Sequence, residues 1–290
     1  MSKLVVTCEK LALLPQYKEW GVQEVQFALK GYTFKGLSSF TIEEIEDAIS
    51  IAKSLGLQTS ILFDAILQEE EEREVKEVIE RVFDLGIDYL VVSDFAIMQM
   101  AERMGRLNQI IYDPITLITN SMDAKTYEDL GLAYITISSC LTKEEIEEIL
   151  THIERSSLVV HGYLLMSVSK RKLLSSYFNY FQKNKMTDKY VLVEEKRDGK
   201  MIAIENERAM MIYSDFIQES FEEIKDFIAK GLKRLEIQTA FLEEEMIEDT
   251  IKLYRQLIED KDCSKEIENY RKKYAAYPLE KGYYGEKTIK

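Results

Sequence analysis

A chain of 290 residues with 46% hydrophobic content can bury a large core, as one domain or as a domain carrying an insertion. Its net charge of −14 argues against a broad nucleic-acid-binding surface, and no apolar run reaches the roughly 18 residues of a membrane span. Three scattered cysteines (Cys8, Cys140, Cys263) make neither a disulfide framework nor a paired metal motif, and the start Met1-Ser2-Lys3 has no signal-peptide layout, so a cytoplasmic protein without membrane contact is expected.

In chain order, strands are predicted at residues 4–7, 24–29, 59–63, 89–92, 109–112, 134–137, 158–161 and 234–238. Four of them follow one pattern: glycine, apolar, two variable residues, apolar, one variable, apolar. It opens at Gly21, Gly86, Gly131 and Gly231, with a looser copy at Gly56. A glycine past a helix end followed by a buried strand is the chemistry of an α-to-β joint. Capping boxes are expected at Thr41 with Glu44, Thr142 with Glu145 and Ser220 with Glu223. Eight strands alternating with helices predict an α/β fold, a (β/α)8 TIM-barrel-like architecture over residues 1–262, with a doubly wound open sheet as the competing arrangement. The rhythm breaks between strands seven and eight. There, segments 190–195 and 201–205 flank Arg197-Asp198-Gly199-Lys200, a hairpin signal, and 209–213 offers a third strand. Residues of about 165–215 therefore form an inserted basic hairpin region on the catalytic side, and 263–290 a C-terminal helix and tail.

Charge asymmetry singles out the same region. Segment 155–200 holds ten Lys/Arg against four Asp/Glu, a local excess of six positive charges, whereas most acids lie on solvated helix faces. Within it, Val160-His161-Gly162 ends a predicted strand, and Ser169-Lys170-Arg171-Lys172 follows. A histidine beside a backbone-permissive glycine, with cations after it, suits an anionic ligand. His161, Ser169 and Arg171 are the candidate catalytic centre, with His161 as acid or base and Arg171 as a bidentate grip on carboxylate or phosphate. Lys170 and Lys172 tune its field. Strand ends add Asp64, Asp94 and Gln238 as candidate substrate-binding groups. Asp94 also reads as a helix cap, and Asp113 before Pro114 as a turn. Tyr177, Phe178, Tyr180 and Phe181 offer stacking faces, although at least half of them are expected to pack inside the insertion.

No phosphate loop, nucleophile elbow, His-Glu-x-x-His site or Cys-x-x-Cys pair occurs, and no metal site is expected. Read in order, the residues resemble the U32 peptidase (collagenase-like) family over nearly the whole chain. His161-Gly162 falls on the family's His-Gly pair and Ser169 on its serine. Ser39-Phe40-Thr41, Gly86 to Asp94, Asn120 and Glu236-Ile237-Gln238-Thr239 match further positions, and the resemblance adds Asn120 to the candidate substrate-binding groups. The family's cysteines in this stretch fall on Leu165 and Lys172, and its glycine after the serine on Lys170. The resemblance implies that cysteine-bearing members ligate an iron–sulfur cluster, so this chain, which lacks those thiolates, is expected to carry no cofactor.

The chain is similar to a short, cysteine-free branch of that family, which implies 5-hydroxylation of the tRNA wobble uridine in company with a cysteine-bearing paralogue. Expected partners are tRNA, that paralogue and a small carboxylate. The alternatives are the peptidase of the family label, for which no protease machinery is visible, and a non-catalytic barrel binding a small organic acid.

Overall fold

A computed structural model describes residues 2–35, 37–184, 187, 189–195 and 197–285, with the backbone alone at Glu194, Arg197 and Asp198. Strand β1 (Lys3–Thr7) leads to helix α1 (Leu14–Trp20), whose last turn closes on Gly21, and then to β2 (Glu24–Ala28). The units β2–α2 (Ile42–Ser54), β3 (Gln58–Phe63)–α3 (Glu72–Asp84), β4 (Tyr89–Val92)–α4 (Phe95–Arg103), β5 (Ile110–Tyr112)–α5 (Ser121–Asp129) and β6 (Tyr134–Thr136)–α6 (Lys143–Leu150) follow. Each strand pairs parallel with the one before it, up to β7 (Ser156–Ser169). After helix α7 (Leu173–Tyr180) come three antiparallel strands: β8 (Lys189–Glu194), β9 (Arg197–Glu205) and β10 (Met210–Glu219). Helix α8 (Ile224–Lys230) returns the chain to β11 (Arg234–Ile237), which pairs with β7 on one side and β1 on the other. The sheet therefore closes into the expected eight-stranded parallel barrel, and an open doubly wound sheet is excluded. Helices α9 (Glu244–Ile258) and α10 (Ser264–Lys273) and the short β12 (Leu279–Glu280) complete the chain, β12 adding to the edge of β10.

The glycines expected at α-to-β joints, Gly21, Gly56, Gly86, Gly131 and Gly231, all take the left-handed conformation. Helix α2 shows how these pieces assemble. Thr41 and Glu44 close a capping box, and Ile45, Ala48, Ile49 and Ala52 recur at helical spacing to bury one face against the sheet. Thr142 and Glu145 cap α6 in the same way. Ser220 does not cap α8. Its hydroxyl donates instead to the Val160 carbonyl oxygen, and the helix starts four residues later.

Inside the barrel an apolar layer of Ala28, Leu62, Val91 and Ile111 is joined by a buried ionic network. The fully buried guanidinium of Arg234 binds Glu24 of β2 (3.1 Å from Nε), Glu236 of its own strand and Ser157 of β7. Glu24 also accepts from Ser60 of β3 at 2.7 Å and pairs with Lys3 of β1 at 2.6 Å, and Glu236 accepts from Ser157. Burial opposes the charged form of Glu24, but Arg234 and Lys3 outweigh it and hold its carboxyl at about 2.

Three local expectations are revised. Strand seven does not stop at His161; it runs on to Ser169, because β10 supplies an antiparallel partner from His161↔Glu219 to Ser169↔Met210. The hairpin turn lies before Arg197 rather than at 197–200. Gly199 sits inside β9 and not in the turn. The third inserted strand is longer than 209–213, spanning Met210–Glu219. Lys185, Asp188 and Lys196 of the basic region and residues 286–290 of the tail lie outside the described residues.

Replacing Arg234 by Met removes the only cation that reaches both Glu24 and Glu236 among the described contacts, and is expected to cost about 3–5 kcal/mol. The urea midpoint measures it; a midpoint within error of the parent would show that the network is dispensable.

Candidate functional site

At the C-terminal ends of the barrel strands, the loop after β2 turns inward and buries Lys35. Its ammonium pairs with Asp113, at the end of β5. The neighbouring Asp64, at the end of β3, accepts from the backbone N–H groups of Phe34 (2.9 Å) and Lys35 (3.3 Å), which fixes the loop in place. Burial works against the ammonium of Lys35, yet Asp113, Asp64 and Glu236 together hold its pKa above the ordinary lysine value. Burial likewise raises the carboxyl of Asp64, against the opposing pull of Lys35. Lys35 is thus a protonated donor and not a free amine nucleophile.

Lys35, Asp113, Thr136, Ser139, Cys140 and Gln238 line a small cavity of about 30 Å³, roofed by Leu164 and Leu165 of the β7 extension. That is room for about one water. Two residues of this region are strained: Ile115, which lines the cavity, and Phe241, which borders the neighbouring groove. Ile115 (φ 67°) follows Asp113, whose Oδ1 accepts its N–H, and Phe241 (φ 66°) stands three residues after Gln238. A β-branched or aromatic side chain in the left-handed region costs on the order of 1–3 kcal/mol, and such strain gathers at binding sites.

Above the cavity, the inserted strands are fastened to the rim. Arg208, between β9 and β10, pairs with Glu71 and donates to the Gly31 carbonyl oxygen. Lys170 donates to the Ile66 carbonyl oxygen at 2.9 Å and lies 3.7 Å from Glu71. Arg171 and Lys172 are exposed, and Lys172 borders a groove shared with Leu37, Lys189, Met211 and Phe241. Ser169 accepts the Arg171 backbone N–H at 3.2 Å.

His161 lies elsewhere. Its ring is fully buried on the outer side of the barrel, against Phe221, Tyr254 of α9 and Tyr270 of α10, at centroid distances of 5.5, 5.8 and 6.0 Å. Nε2 is 3.3 Å from the Tyr270 hydroxyl and 3.5 Å from that of Thr250, and Nδ1 has no partner among the described residues. Burial drives its pKa down to about 3, so the ring is neutral. Eight residues of strand, roughly 25 Å, separate it from Ser169. Gly162 beside it takes φ 118°, and a Cβ there would strike the Gln238 backbone carbonyl.

The structure therefore brings together Asp64 and Gln238, with Lys35 and Asp113, and sets Lys170, Arg171, Lys172 and Ser169 on the rim above them. It does not bring His161 to that group. Asp94 and Asn120 cap helices: Asp94 accepts from Ala96 and Leu67, and Asn120 from Asp123. Lys35 was not legible in advance, because it sits mid-loop, seven residues past the end of β2, and not at a strand end.

Among the described residues, no group of three or more His, Cys, Asp or Glu is placed to hold a metal ion, and no helix is long and apolar enough to cross a membrane.

Comparison with known proteins places this geometry in context. A family model described as peptidase family U32 matches residues 10–290. A tRNA hydroxylation protein P2 of Bacillus subtilis is 24% identical over 79% of this chain and 76% of its own length. An uncharacterized protease of Methanocaldococcus jannaschii is 27% identical over 59% of this chain and 42% of its own. A tRNA hydroxylation protein P of Escherichia coli is 26% identical over 52% of this chain and 34% of its own. The solved structure of a U32 peptidase superposes with a TM-score of 0.52 at 15% identity, covering 82% of this chain and 92% of that one, a likeness of fold.

The buried histidine has a measurable signature. With a folded pKa of about 3 against about 6.5 unfolded, the unfolded chain binds the extra proton between these values. His161 therefore favours folding fully above pH 6.5 and loses that contribution as pH falls, by about 2 kcal/mol at pH 5. A His161→Phe variant should show a shallower acid limb in chemical denaturation between pH 6.5 and 5; an unchanged slope would mean the ring is not buried neutral.

Proposed function

The chain belongs to peptidase family U32, and we propose that it acts in tRNA modification, in the 5-hydroxylation of the wobble uridine, beside a cysteine-bearing paralogue in the cytoplasm. The observation that carries this reading is the make-up of the C-terminal rim. In a chain of net charge −14, Lys170, Arg171 and Lys172 follow the end of β7 on the C-terminal side of the barrel, the side of Lys35 and Asp113, and Lys183, Lys189 and Lys200 add exposed cations on the insertion. Phosphates meet cations there and acids over most of the remaining surface, so RNA contact is local and its salt dependence modest. The two relatives named for tRNA hydroxylation support the choice of RNA.

In this reading Arg171 grips a phosphate, or a small carboxylate, bidentately. Lys35 donates hydrogen bonds into the cavity from a fixed position beside Gln238, and Asp64 holds the loop that presents it. His161 takes a structural part, holding α9 and α10 to the barrel.

An iron–sulfur cluster does not fit the residues present. Where cysteine-bearing members supply thiolates, this chain has buried Leu165 and exposed Lys172, and no cysteine occurs between Cys140 and Cys263. The paralogue is the natural source of redox chemistry. A hydrolytic centre has less support, since burial pushes the Cys8 thiol up to about 12 and raises that of Cys140, and His161 faces aromatic rings.

Mass spectrometry of tRNA nucleosides from a deletion strain tests the function. Hydroxylated wobble uridine is expected to fall, to return with the parent gene, and to stay low with Lys35→Met, provided that variant melts cooperatively. Unchanged nucleosides in a strain lacking both this protein and its paralogue would end the proposal. Purified protein is expected to be colourless, and stoichiometric iron and sulfide would overturn that part.

A further inference from the structure

Helix α7 bears a surface that the barrel chemistry does not use. It is anchored by Leu174, which packs with Ala203 and Met210, and by Phe178, whose ring lies tilted 4.9 Å from that of Tyr190 of β8. Its N-terminus is tied down as Glu205 accepts from the Leu174 and Ser175 N–H groups. The other face carries Tyr177, Tyr180 and Phe181, spaced i, i+3, i+4 and so side by side. They are 51%, 82% and 51% exposed, so three of the four aromatics face solvent where at least half were expected to pack inside the insertion. Their rings touch one another: Tyr177 and Phe181 at 4.8 Å between centroids, Tyr180 and Phe181 at 5.0 Å.

We propose that this aromatic face is a stacking platform for unpaired bases of a single-stranded RNA segment. Solvent-facing ring clusters of this size are disfavoured unless something covers them. The charge around the rings selects the occupant. Arg171, Lys172, Lys183 and Lys189 are exposed on the same insertion, against the exposed acids Glu195 and Glu207. Aromatic faces flanked by a cationic track match a single strand, whose bases stack while its phosphates pair with Lys and Arg. Duplex RNA hides its bases and offers the rings nothing. This inference rests on the RNA reading above for its biological substrate, but its test does not.

The probe is a labelled, unstructured oligoribonucleotide, with the same sequence as a duplex for comparison. A Tyr177→Ala/Tyr180→Ala/Phe181→Ala variant should lose about tenfold or more in single-strand affinity, with little change in duplex binding. Because these rings are exposed, thermal unfolding should match the parent. Tyr177→Phe/Tyr180→Phe keeps the rings and should keep the affinity. Equal single-strand affinity in the parent and the triple variant overturns the platform. So does a parent that is dimeric by light scattering and becomes monomeric in the triple variant without loss of RNA binding, since the face would then be a protein interface. Loss of single-strand affinity with unchanged cellular nucleosides would leave the platform standing but separate it from the modification; equal affinity with lowered hydroxylation overturns the platform and leaves the modification role standing.

Discussion

Arg234 is the point on which the barrel turns. A closed parallel sheet of eight strands encloses a space that side chains must fill, and this chain fills part of it with charge. Lys3 and Arg234 balance Glu24 and Glu236, so the enclosed network is neutral, and Ser60 and Ser157 occupy further hydrogen-bonding capacity. These groups come from β1, β2, β3, β7 and β11, so the network fixes which strands meet as well as filling the barrel. An apolar filling of equal volume would be no less stable by the usual balance of desolvation against attraction. The specific service of the charges is orientation, since each carboxylate has a designated donor.

Much of the architecture was legible because barrel units repeat. The glycine joints, the capping boxes at Thr41 and Thr142 and the eight short apolar strands are local signals, set by backbone sterics and helix-end chemistry. What escaped was non-local. The continuation of β7 past Gly162 depends on pairing with β10, some fifty residues away, and the apolar run 163–166 does not by itself say that it continues the same strand. The candidate site was half legible for the same reason. Asp64 and Gln238 follow from the rule that barrel sites gather at strand ends. Lys35 reaches them from a loop whose course is dictated by Asp64, a contact invisible to spacing. His161 misled because a strand has two faces, and a single polar residue in an apolar run does not declare which one it occupies.

Strand β7 joins the two halves of the molecule. Its first part is a barrel stave, and its second part rises from the barrel as a support for the inserted sheet, with Gly162 at the change of partner, packed against the Gln238 backbone. The cationic turn at Lys170 to Lys172 is therefore held at a set height above the mouth by an extended strand, and Arg208 and Lys170 brace it against the barrel loops. Rigidity at the rim and strain at Ile115 and Phe241 are two expressions of one design, in which the insertion confines the loops beneath it.

The meeting of β1 with β11 also bears on how the chain is made. Glu24 and Arg234 are 210 residues apart in sequence, and the cage around His161 needs Tyr270, later still. A nascent chain leaving the ribosome exposes seven staves of an open, curved sheet long before the eighth arrives. Until then two unpaired strand edges and the carboxylate of Glu24, without its guanidinium, stand open to water and to other chains. Ring closure is thus a single late event of high contact order, and the open edges that precede it are where association with other chains threatens folding most.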